Sequence, residues 1–402
     1  MKMNTDPKKI EELLDRGVEN LIPTREKLAE RLASGDVLRI KFGIDPTSPH
    51  MHLGHTVPLR KLRQFQDLGH QAVLIIGDAT AMIGDPTGRS ETRNRITKED
   101  VKKNQKTYLK QAGKVLDLKR LEVHHNGEWF NKMSMKDTLE LTSLVTVQQV
   151  LQREDFRKRV DDPENPLSVL EILYPVMQGY DSVMIKADIE IGGTDQLLNL
   201  HMGRRLQRRY KMSEQGILTV PLIEGTDGVR KMSKSFGNAI ALQDEPEDMY
   251  GKLMSIPDAM IGKYFQLLSD LPIEEIEAVM AQMNAGGNPR DAKARLAWEL
   301  TRLYHGAKAA DAAREAFASL FSKGEEPEDM MILEKNGIAT VIDLLVESKL
   351  AASRGDARRL IDGGGIKLAG KVIKSDESVE PTKEGVVIQK GKRHFVRVVK
   401  KL

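Results

Sequence analysis

The chain has 402 residues, of which 30% are charged and 40% hydrophobic, and its formal net charge is +3. This length allows two or three domains with a large core, and the balanced charge excludes a polyelectrolyte tail. The absence of cysteine from the sequence excludes disulfides, thiolate metal sites and cysteine nucleophiles. The N-terminus is polar, and no apolar run approaches the ~18 residues that a membrane span needs, which predicts a cytoplasmic protein that does not bind membranes.

The first part of the chain alternates strand and helix patterns. Val37–Ile44 is predicted to be a strand, and Thr56–Leu68 an amphipathic helix that stops at Gly69. Ala72–Ile76 is predicted to be a fully buried strand. A strand, a helix and a strand in this order predict parallel pairing with a right-handed crossover.

A second set of the same kind follows. Ser182–Ile191 is predicted to be a strand, Asp195–Tyr210 a helix, and Ile217–Leu222 another strand. Two such halves predict an α/β fold with a doubly wound parallel sheet. In such a fold, ligands bind at the carboxyl ends of the strands, near the switch point.

The pattern changes after about residue 242. From Gln243 to Phe321 the strand patterns vanish and apolar residues recur at helical spacing, which predicts a helical domain. The polar, acidic segment SKGEEPED at 322–329 is typical of a linker. The predicted domains are residues 1–242, residues 243–321 and residues 333–402, with a linker at 322–332.

The last domain is predicted to be a small α+β module with a basic surface. Leu333–Leu402 contains 15 lysine and arginine residues against 9 acidic ones, whereas the rest of the chain carries 47 against 50. Arg354, Arg358 and Arg359 lie at i, i+4 and i+5 of a short helix, and Lys367 follows a GGG turn. This face suits the phosphates and the shape of structured RNA. A solvated surface with a flexible turn is the alternative.

The motif HLGH at 52–55 lies between the first predicted strand and its helix. His52 and His55 therefore lie at a helix N-terminus, where anions bind. Gly54 leaves room for a nucleotide close to the backbone. A zinc pair would lack a third ligand, so no metal site is predicted. A purely structural role for the two histidines is the alternative to anion binding.

The motif KMSKS at 231–235 lies in a glycine-flanked loop. Lys231 and Lys234 supply mobile positive charge, while Ser233 and Ser235 either shape the loop or are solvated turn residues. The two motifs lie about 180 residues apart and together predict a site that holds a triphosphate from two sides. Catalysis there rests on positioning and electrostatic stabilisation, and no protein nucleophile is predicted.

The segment YPVMQGYD carries a different set of groups. Tyr174, Gln178 and Asp181 fall at i, i+4 and i+7, which is one stripe of a helix. A phenol, an amide and a carboxylate on one stripe favour a pocket for a small zwitterion with a polar aromatic tail. A satisfied buried polar cluster is the alternative.

Five segments resemble those of one enzyme family. KFGIDPTSPHMHLGH, IGDPTGRS, YPVMQGYD, IGGTDQ and KMSKS occur in the order and spacing of bacterial tyrosyl-tRNA synthetases, which are class I aminoacyl-tRNA synthetases. The tail SRGDARRLIDGGGIKLAGKVI resembles the S4 RNA-binding module that many of them carry. The resemblance covers nearly the whole chain. It implies a Rossmann-like catalytic domain, a helical domain of the anticodon-binding type and a C-terminal S4 domain.

The resemblance also assigns residues to ATP. Those implied to act in catalysis at the phosphates are His52, His55, Lys231, Lys234 and Thr47. Those implied to bind the rest of ATP are Gly54, Gly193, Asp195, Met232, Ser233 and Ser235. Gly193 and Asp195 would hold the ribose, since a carboxylate beside a glycine turn suits hydroxyl groups. In the tail, the resemblance implies RNA contacts for Arg354, Arg358, Arg359 and Lys367.

A third set is implied to bind tyrosine, namely Asp45, Asp85, Tyr174, Gln178, Asp181 and Gln196. Tyr174 and Gln178 would address the α-amino end, and Asp85 would lie near the ammonium group. Asp181 would accept the phenol hydroxyl, a role in which a site can reject phenylalanine by ~10⁴–10⁵. Relatives often carry tyrosine at the position of Lys41, so Lys41 either points elsewhere or changes that contact.

The implied activity is the attachment of tyrosine to its tRNA through a tyrosyl-adenylate. ATP would bring Mg²⁺, tRNA(Tyr) would be the macromolecular partner, and the chain would form a homodimer. Tryptophanyl enzymes are the nearest rival family, since they share the fold and both motifs, but they lack the S4 tail and the Gln-x-x-Asp pairing. Two more distant rivals are a nucleotidyltransferase with an HxGH motif and a non-catalytic RNA-binding descendant of a synthetase.

Overall fold

The computed structural model describes residues 3–86, 96–322, 330–391 and 394–401. The second half of the IGDPTGRS motif and most of the predicted linker lie outside these residues. The contacts between residues divide the chain into two units, residues 1–314 and residues 315–402. The finer division predicted at residues 242 and 332 stays a prediction.

The first unit is built on a six-stranded sheet. Its strands are β1 (Asn20–Ile22), β2 (Arg39–Ile44), β3 (Gln71–Ile76), β4 (Leu121–His125), β5 (Ile189–Gly193) and β6 (Gly216–Val220). Their order in space is β1-β6-β5-β2-β3-β4, and only β1 is antiparallel to its neighbour. The chain thus builds outward from β2 in one direction and from β5 in the other. The predicted doubly wound sheet is confirmed, and its switch point lies between β2 and β5.

Helices connect and cover these strands. They are α1 (Pro7–Asp15), α2 (Arg25–Ala33), α3 (Leu53–Leu68), α4 (Lys98–Ala112), α5 (Gly127–Phe130), α6 (Met135–Ser143), α7 (Val147–Val150), α8 (Glu154–Arg159), α9 (Val169–Met184) and α10 (Leu197–Arg209). Helix α3 ends at Gly69, whose φ of 100° lies in the left-handed region, as a glycine stop predicts. It starts three residues before the predicted Thr56, so the HLGH motif occupies its first turn.

The predicted strand Ser182–Ile191 is wrong in its first half. Helix α9 continues to Met184, and strand β5 begins only at Ile189. Residues 182–184 stay helical because α9 packs closely on α10. A Cβ at Gly179 of α9 would lie 2.9 Å from the Met202 backbone, so only glycine permits this approach. Packing therefore overrides the β-branched pattern of the segment.

Residues 246–322 form the predicted run of helices. They are α11 (Pro246–Met254), α12 (Ile261–Leu268), α13 (Ile273–Asn284), α14 (Pro289–His305) and α15 (Ala307–Ser322). Their starts follow ordinary rules, since Pro246 and Pro289 stand at first helical positions, where the missing N–H costs nothing. Among the helices of the described ranges, none has the length and apolar character required to cross a membrane.

The second unit contains the predicted α+β module. Its elements are β7 (Met331–Lys335), β8 (Ala339–Thr340), α16 (Val341–Glu347), α17 (Arg354–Asp362), β9 (Ile366–Leu368), β10 (Lys371–Val372), β11 (Ser378–Val379), β12 (Val386–Lys390) and β13 (His394–Lys400). A five-stranded sheet runs in the order β10-β9-β12-β13-β7. Its apolar side chains share one core with those of α16 and α17, including Ile342, Leu345 and Val396.

Candidate active site

Backbone hydrogen bonds join the HLGH motif to the segment that follows KMSKS. The Leu53 amide donates to the Ile240 carbonyl oxygen at 2.9 Å, and the Leu242 amide donates to the Met51 carbonyl oxygen at 3.0 Å. The residues between these pairs form an antiparallel bridge. The first turn of α3 is therefore fixed against the segment that follows KMSKS.

A cavity of about 760 Å³ lies at the carboxyl ends of β2 and β5. This volume is within the range of small-molecule sites, and its position is the one that the switch point predicts. Every residue assigned from sequence to ATP or tyrosine lines it. These residues are Asp45, Thr47, His52, Gly54, His55, Asp85, Tyr174, Gln178, Asp181, Gly193, Asp195, Gln196, Lys231, Met232, Ser233, Lys234 and Ser235.

The two histidines form a neutral pair on the wall of this cavity. Their ring centroids lie 3.9 Å apart, and Nδ1 of His55 accepts the backbone N–H of His52 at 3.1 Å. Burial lowers the pKa of His52 to about 2 and that of His55 to about 4. At neutral pH the His55 ring therefore carries its proton on Nε2, which is free to donate to a ligand oxygen.

Gly54 gives the His52 ring room close to the backbone. A Cβ at this position would lie 3.0 Å from both Cε1 and Nδ1 of His52. The sequence predicts this glycine from the close approach of a nucleotide. The structure adds a second reason, because the His52 ring lies close to the backbone of Gly54.

The lysine loop, residues 225–238, is held from inside by Asn238. Oδ1 of this buried side chain accepts the Ser233 amide at 2.8 Å, and its Nδ2 donates to Asp227 Oδ2 at 3.1 Å. Met232 is also buried, whereas Lys231 and Lys234 are exposed. The loop is thus anchored by the buried side chains of Asn238 and Met232, and its two lysines border the cavity.

Asp195 and Lys231 link the lysine loop to the end of β5. Lys231 Nζ lies 3.4 Å from Asp195 Oδ2. Burial raises the pKa of the Asp195 carboxyl, while Lys231 acts against this shift. A Cβ at Gly193 would lie 2.7 Å from Asp195 Oδ1, so the glycine gives this carboxylate its place.

Tyr174 and Asp45 join helix α9 to the end of β2. The Tyr174 hydroxyl donates to Asp45 Oδ2 at 3.0 Å, and the Thr80 hydroxyl donates to Asp45 Oδ1 at 2.7 Å. Burial and the neighbouring carboxylate of Asp45 raise the pKa of Tyr174 well above its usual value. The phenol therefore stays protonated and keeps its role as donor.

Asp181 lies deeper in the cavity wall and is 4% exposed. Its carboxylate accepts Trp129 Nε1 at 3.0 Å and Asn126 Nδ2 at 3.3 Å, both from the α5 region. Burial raises the pKa of Asp181 to about 7, and the positive charge of Lys41 is the largest opposing effect. The carboxylate is thus aimed into the cavity as an acceptor whose charge depends on its neighbours.

A chain of amides crosses the wall between α9 and α10. Asn199 Nδ2 donates to Gln178 Oε1 at 3.0 Å and to Gln196 Oε1 at 2.9 Å. Gln196 Nε2 donates to Asp85 Oδ2 at 2.6 Å. Three residues predicted to bind the amino acid are therefore oriented by one another and by Asn199.

Lys41 does not line the cavity. Its ammonium group is buried and pairs with Glu190, with Nζ 2.8 Å from Oε1. It also donates to the Gln178 carbonyl oxygen and to Ser182 Oγ, both at 2.8 Å. Of the two possibilities that the sequence left open, the structure has the one in which the side chain points elsewhere, toward Gln178 and Ser182 of α9.

The predicted RNA contacts lie in the second unit. Arg354, Arg358 and Arg359 are exposed on α17, but Arg354 pairs with Asp343, and Arg359 Nη2 lies 3.9 Å from an oxygen of Asp356. Lys367 is half-buried within β9 rather than in a free turn. Of the four predicted cations, the three arginines thus form the exposed face.

Sequence reasoning missed the side chains that orient the predicted ones. They are Thr80, Asn126, Trp129, Glu190, Asn199 and Asn238. Asn126 and Trp129 directly follow β4, so the rule that sites lie after parallel strands pointed to them. The remaining four reach the site from a helix, a strand interior or a loop, where no pattern in a single sequence distinguishes them.

Comparison with known proteins decides which family has this geometry. The family described as tRNA synthetases class I (W and Y) matches residues 33–322, and the S4 domain matches residues 341–384. A tyrosine–tRNA ligase of Thermotoga maritima is 49% identical over 98% of both chains. One of Geobacter metallireducens is 46% identical over 96% of this chain and 98% of its own.

The chain belongs to the tyrosyl-tRNA synthetase family. The fold agrees, since a truncated mitochondrial tyrosyl-tRNA synthetase of Aspergillus nidulans superimposes with a TM-score of 0.66 at 24% identity, over 78% of this chain and 94% of its own. The tyrosine complex of the Archaeoglobus fulgidus enzyme gives 0.62 at 22% identity, over 77% of this chain and all of its own. The protein is thus an aminoacyl-tRNA synthetase, a ligase that uses ATP to charge tRNA with tyrosine. The predicted family, fold and activity are confirmed.

Proposed function

We propose that the cavity holds tyrosine and ATP together and forms tyrosyl-adenylate. A carboxylate oxygen of tyrosine attacks the α-phosphorus, the bond from that phosphorus to the bridging oxygen breaks, and pyrophosphate leaves. A terminal ribose hydroxyl of the tRNA then attacks the tyrosyl carbonyl, and AMP leaves. The strongest support is that an acidic, aromatic group of side chains and a histidine–lysine group line one cavity.

Tyrosine fits the acidic end of this cavity. Asp181 accepts a hydrogen bond from the phenol hydroxyl. Its Oδ1 also accepts from Trp129 Nε1, and its Oδ2 accepts from Asn126 Nδ2. Tyr174, Gln178 and Asp85 surround the opposite, ammonium end, with Asp45 and Gln196 beside them. The Asp181 carboxylate needs the substrate hydroxyl to complete its hydrogen bonds. Phenylalanine has no hydroxyl and leaves part of the carboxylate unpaired, so the site rejects phenylalanine.

ATP fits between the two motifs. His52 and His55 donate to its phosphates as neutral rings, while Lys231 and Lys234 approach from the lysine loop, and Thr47 lies between them at the end of β2. Asp195 and Gly193 bind the ribose. When Asp195 binds the ribose, Lys231 leaves its ion pair with Asp195 and its ammonium group lies beside the phosphates. Donors placed in advance of the reaction stabilise charge that develops on the phosphates, and this is usually the largest catalytic contribution.

The remaining partners follow from the same reaction. Mg²⁺ enters with ATP as part of the substrate, because this ion keeps several waters and binds through phosphates. The exposed arginines Arg354, Arg358 and Arg359 of the S4 domain contact the phosphates of tRNA(Tyr), with Lys367 at their edge. The protein performs this reaction in the cytoplasm.

The protein acts as a homodimer through an apolar surface on α6, α7 and α9. Met135 of α6 is 75% exposed, Leu139 of α6 is 63% exposed and Val169 of α9 is 75% exposed. Leu141 of α6 and Val176 of α9 belong to one buried cluster, so these two helices pack together beneath the exposed side chains. Exposed apolar surface of this kind marks an association site, and a self-complementary face gives a two-fold dimer. Sedimentation of Val169→Asp is expected to show monomers, and an unchanged dimer would contradict the assigned surface.

Amino-acid-dependent exchange of labelled pyrophosphate into ATP tests the activity. Tyrosine is expected to support exchange, and phenylalanine and tryptophan are not. Asp181→Asn keeps the shape of the side chain but removes its charge, so kcat/KM for tyrosine should fall by roughly 10–100-fold, the scale of a hydrogen bond to a charged group. Equal exchange with tyrosine and phenylalanine in the unmodified protein would overturn the role of Asp181.

A further inference from the structure

A buried ion pair lies directly behind the tyrosine end of the cavity. Lys41 of β2 and Glu190 of β5 are cross-strand partners, and their side chains are 0% and 1% exposed. Neither residue borders the cavity. A buried pair of this kind is weak evidence for stability, because desolvation of two charges offsets most of their attraction.

Both members of the pair form hydrogen bonds with one turn of α9, which contains Gln178 and Ser182. Lys41 donates to the Gln178 carbonyl oxygen and to Ser182 Oγ, each at 2.8 Å. Glu190 accepts from Ser182 Oγ at 3.0 Å and from Gln178 Nε2 at 3.4 Å. Asp181 belongs to this same turn, so the ion pair contacts the Gln178 side chain directly and holds the backbone of the turn that carries Asp181.

The pair also sets the charge around Asp181. The positive charge of Lys41 lowers the Asp181 pKa, and the negative charge of Glu190 raises it by less. The hydrogen bonds from Asn126 and Trp129 act in the same direction as Lys41, and burial acts against all three. A protonated Asp181 cannot use its O–H oxygen as a full acceptor for the substrate hydroxyl, so its charge controls phenol recognition.

We propose that the Lys41–Glu190 ion pair is a positioning element for tyrosine recognition, which fixes the Gln178 amide and holds the turn of α9 that carries Asp181. The proposal rests on the proposed function, in which Asp181 binds the phenol. Lys41 and Glu190 act through Asp181 and Gln178 and do not touch the substrate.

The test is the pH dependence of the tyrosine KM in pyrophosphate exchange, measured between about pH 6 and about pH 9 at saturating ATP. In the unmodified protein the KM should rise as pH falls through about 7, the pKa of Asp181. Lys41→Met should move this midpoint up by about one pH unit, and Glu190→Gln should move it down. If the ion pair has a purely structural role, the midpoints of Lys41→Met and Glu190→Gln should move in the same direction or stay unchanged.

The size of KM separates positioning from catalysis. At pH near 7, Lys41→Met should raise the tyrosine KM roughly tenfold with kcat nearly unchanged, because ground-state binding is lost while the phosphate groups are intact. Lys61→Met is the matched control. Lys61 is also buried, donates to the carbonyl oxygens of Leu13 and Arg16 at 2.7 Å, and lies outside the cavity wall. It should leave the tyrosine KM and its midpoint unchanged.

A double variant covers the case in which a single variant fails to fold. Lys41→Met with Glu190→Gln leaves no unpaired buried charge. Its midpoint should still move upward, but by less than in Lys41→Met, because Lys41 has the larger effect on Asp181. A double variant with the midpoint of the unmodified protein would overturn the proposal. Loss of tyrosine-dependent exchange in the unmodified protein would instead overturn the proposed function itself.

Discussion

Replacing Gly54 with alanine tests whether adenylate chemistry depends on the tight first turn of α3. A Cβ at Gly54 would lie 3.0 Å from two ring atoms of His52 and 3.5 Å from Cγ2 of Ile223. Comfortable carbon contacts begin near ~3.5 Å, so the imidazole has to move by roughly 0.5 Å. A displacement of ~1 Å at a catalytic group costs up to ~10²-fold in rate, so half of it predicts a roughly tenfold slower adenylate formation.

The same substitution should not harm the fold. Gly54 is the second residue of α3, and its φ is not among the positive values of the chain. Alanine favours a helix over glycine by up to ~1 kcal/mol, so the free energy of unfolding is expected to stay level or rise. A variant that is as stable as the parent and yet slower isolates the position of the His52 ring from general damage.

The assay is single-turnover formation of tyrosyl-adenylate, with tyrosine affinity measured in parallel. Gly355→Ala is the matched control, because Gly355 is the second residue of α17 and its new Cβ would meet nothing closer than Ser353 Oγ at 3.8 Å. The control should keep the parent rate. If Gly54→Ala also keeps the parent rate, the close approach of His52 to this glycine is irrelevant to the chemistry.

Three further changes have expected outcomes. Lys234→Ala should slow adenylate formation by roughly 10²–10³ at unchanged tyrosine affinity, and a full single-turnover rate would contradict the two-sided phosphate site. Removal of Leu333–Leu402 should leave pyrophosphate exchange nearly intact, weaken tRNA charging and reduce its salt dependence, and a joint loss of both activities in a folded protein would remove the RNA role of the S4 domain. Burial lowers the pKa of Lys61 to about 7, so unfolding takes up a proton between about pH 7 and about pH 10. Stability should therefore fall by ~1.4 kcal/mol per unit as pH drops through this range, and urea unfolding of Lys61→Met should lack this slope.

Several parts of the site that the sequence predicted share one physical property. They lie directly after a parallel strand or on one stripe of a single helix, so their neighbours are set by local geometry. Asp45 directly follows β2, and Tyr174, Gln178 and Asp181 fall on one face of α9, as their spacing requires. The ends of parallel strands meet at one edge of the sheet, so local patterns alone bring these groups together.

The parts that were missed depend on packing between distant elements. The strand predicted at Ser182–Ile191 shows this, because the glycine contact between α9 and α10 keeps its first residues helical. The partners of Asp181 show it too, since Asn126 lies 55 positions away in sequence and Trp129 lies 52 away. No periodicity within one element encodes which donor a buried carboxylate meets.

Lys41 depends both on a local pattern, its strand, and on packing between distant elements. Its strand was predicted, and the resemblance marked the position as a departure from relatives with tyrosine, but strand order and register decide what it meets. Because β2 pairs with β5 in parallel, Lys41 lies opposite Glu190, and the two charges neutralise each other behind the cavity. A lysine at this position without Glu190 would be an unpaired buried charge, which costs several kcal/mol. The two residues are therefore one feature of the site, and the replacement of Lys41 alone should disturb tyrosine binding more than the replacement of both.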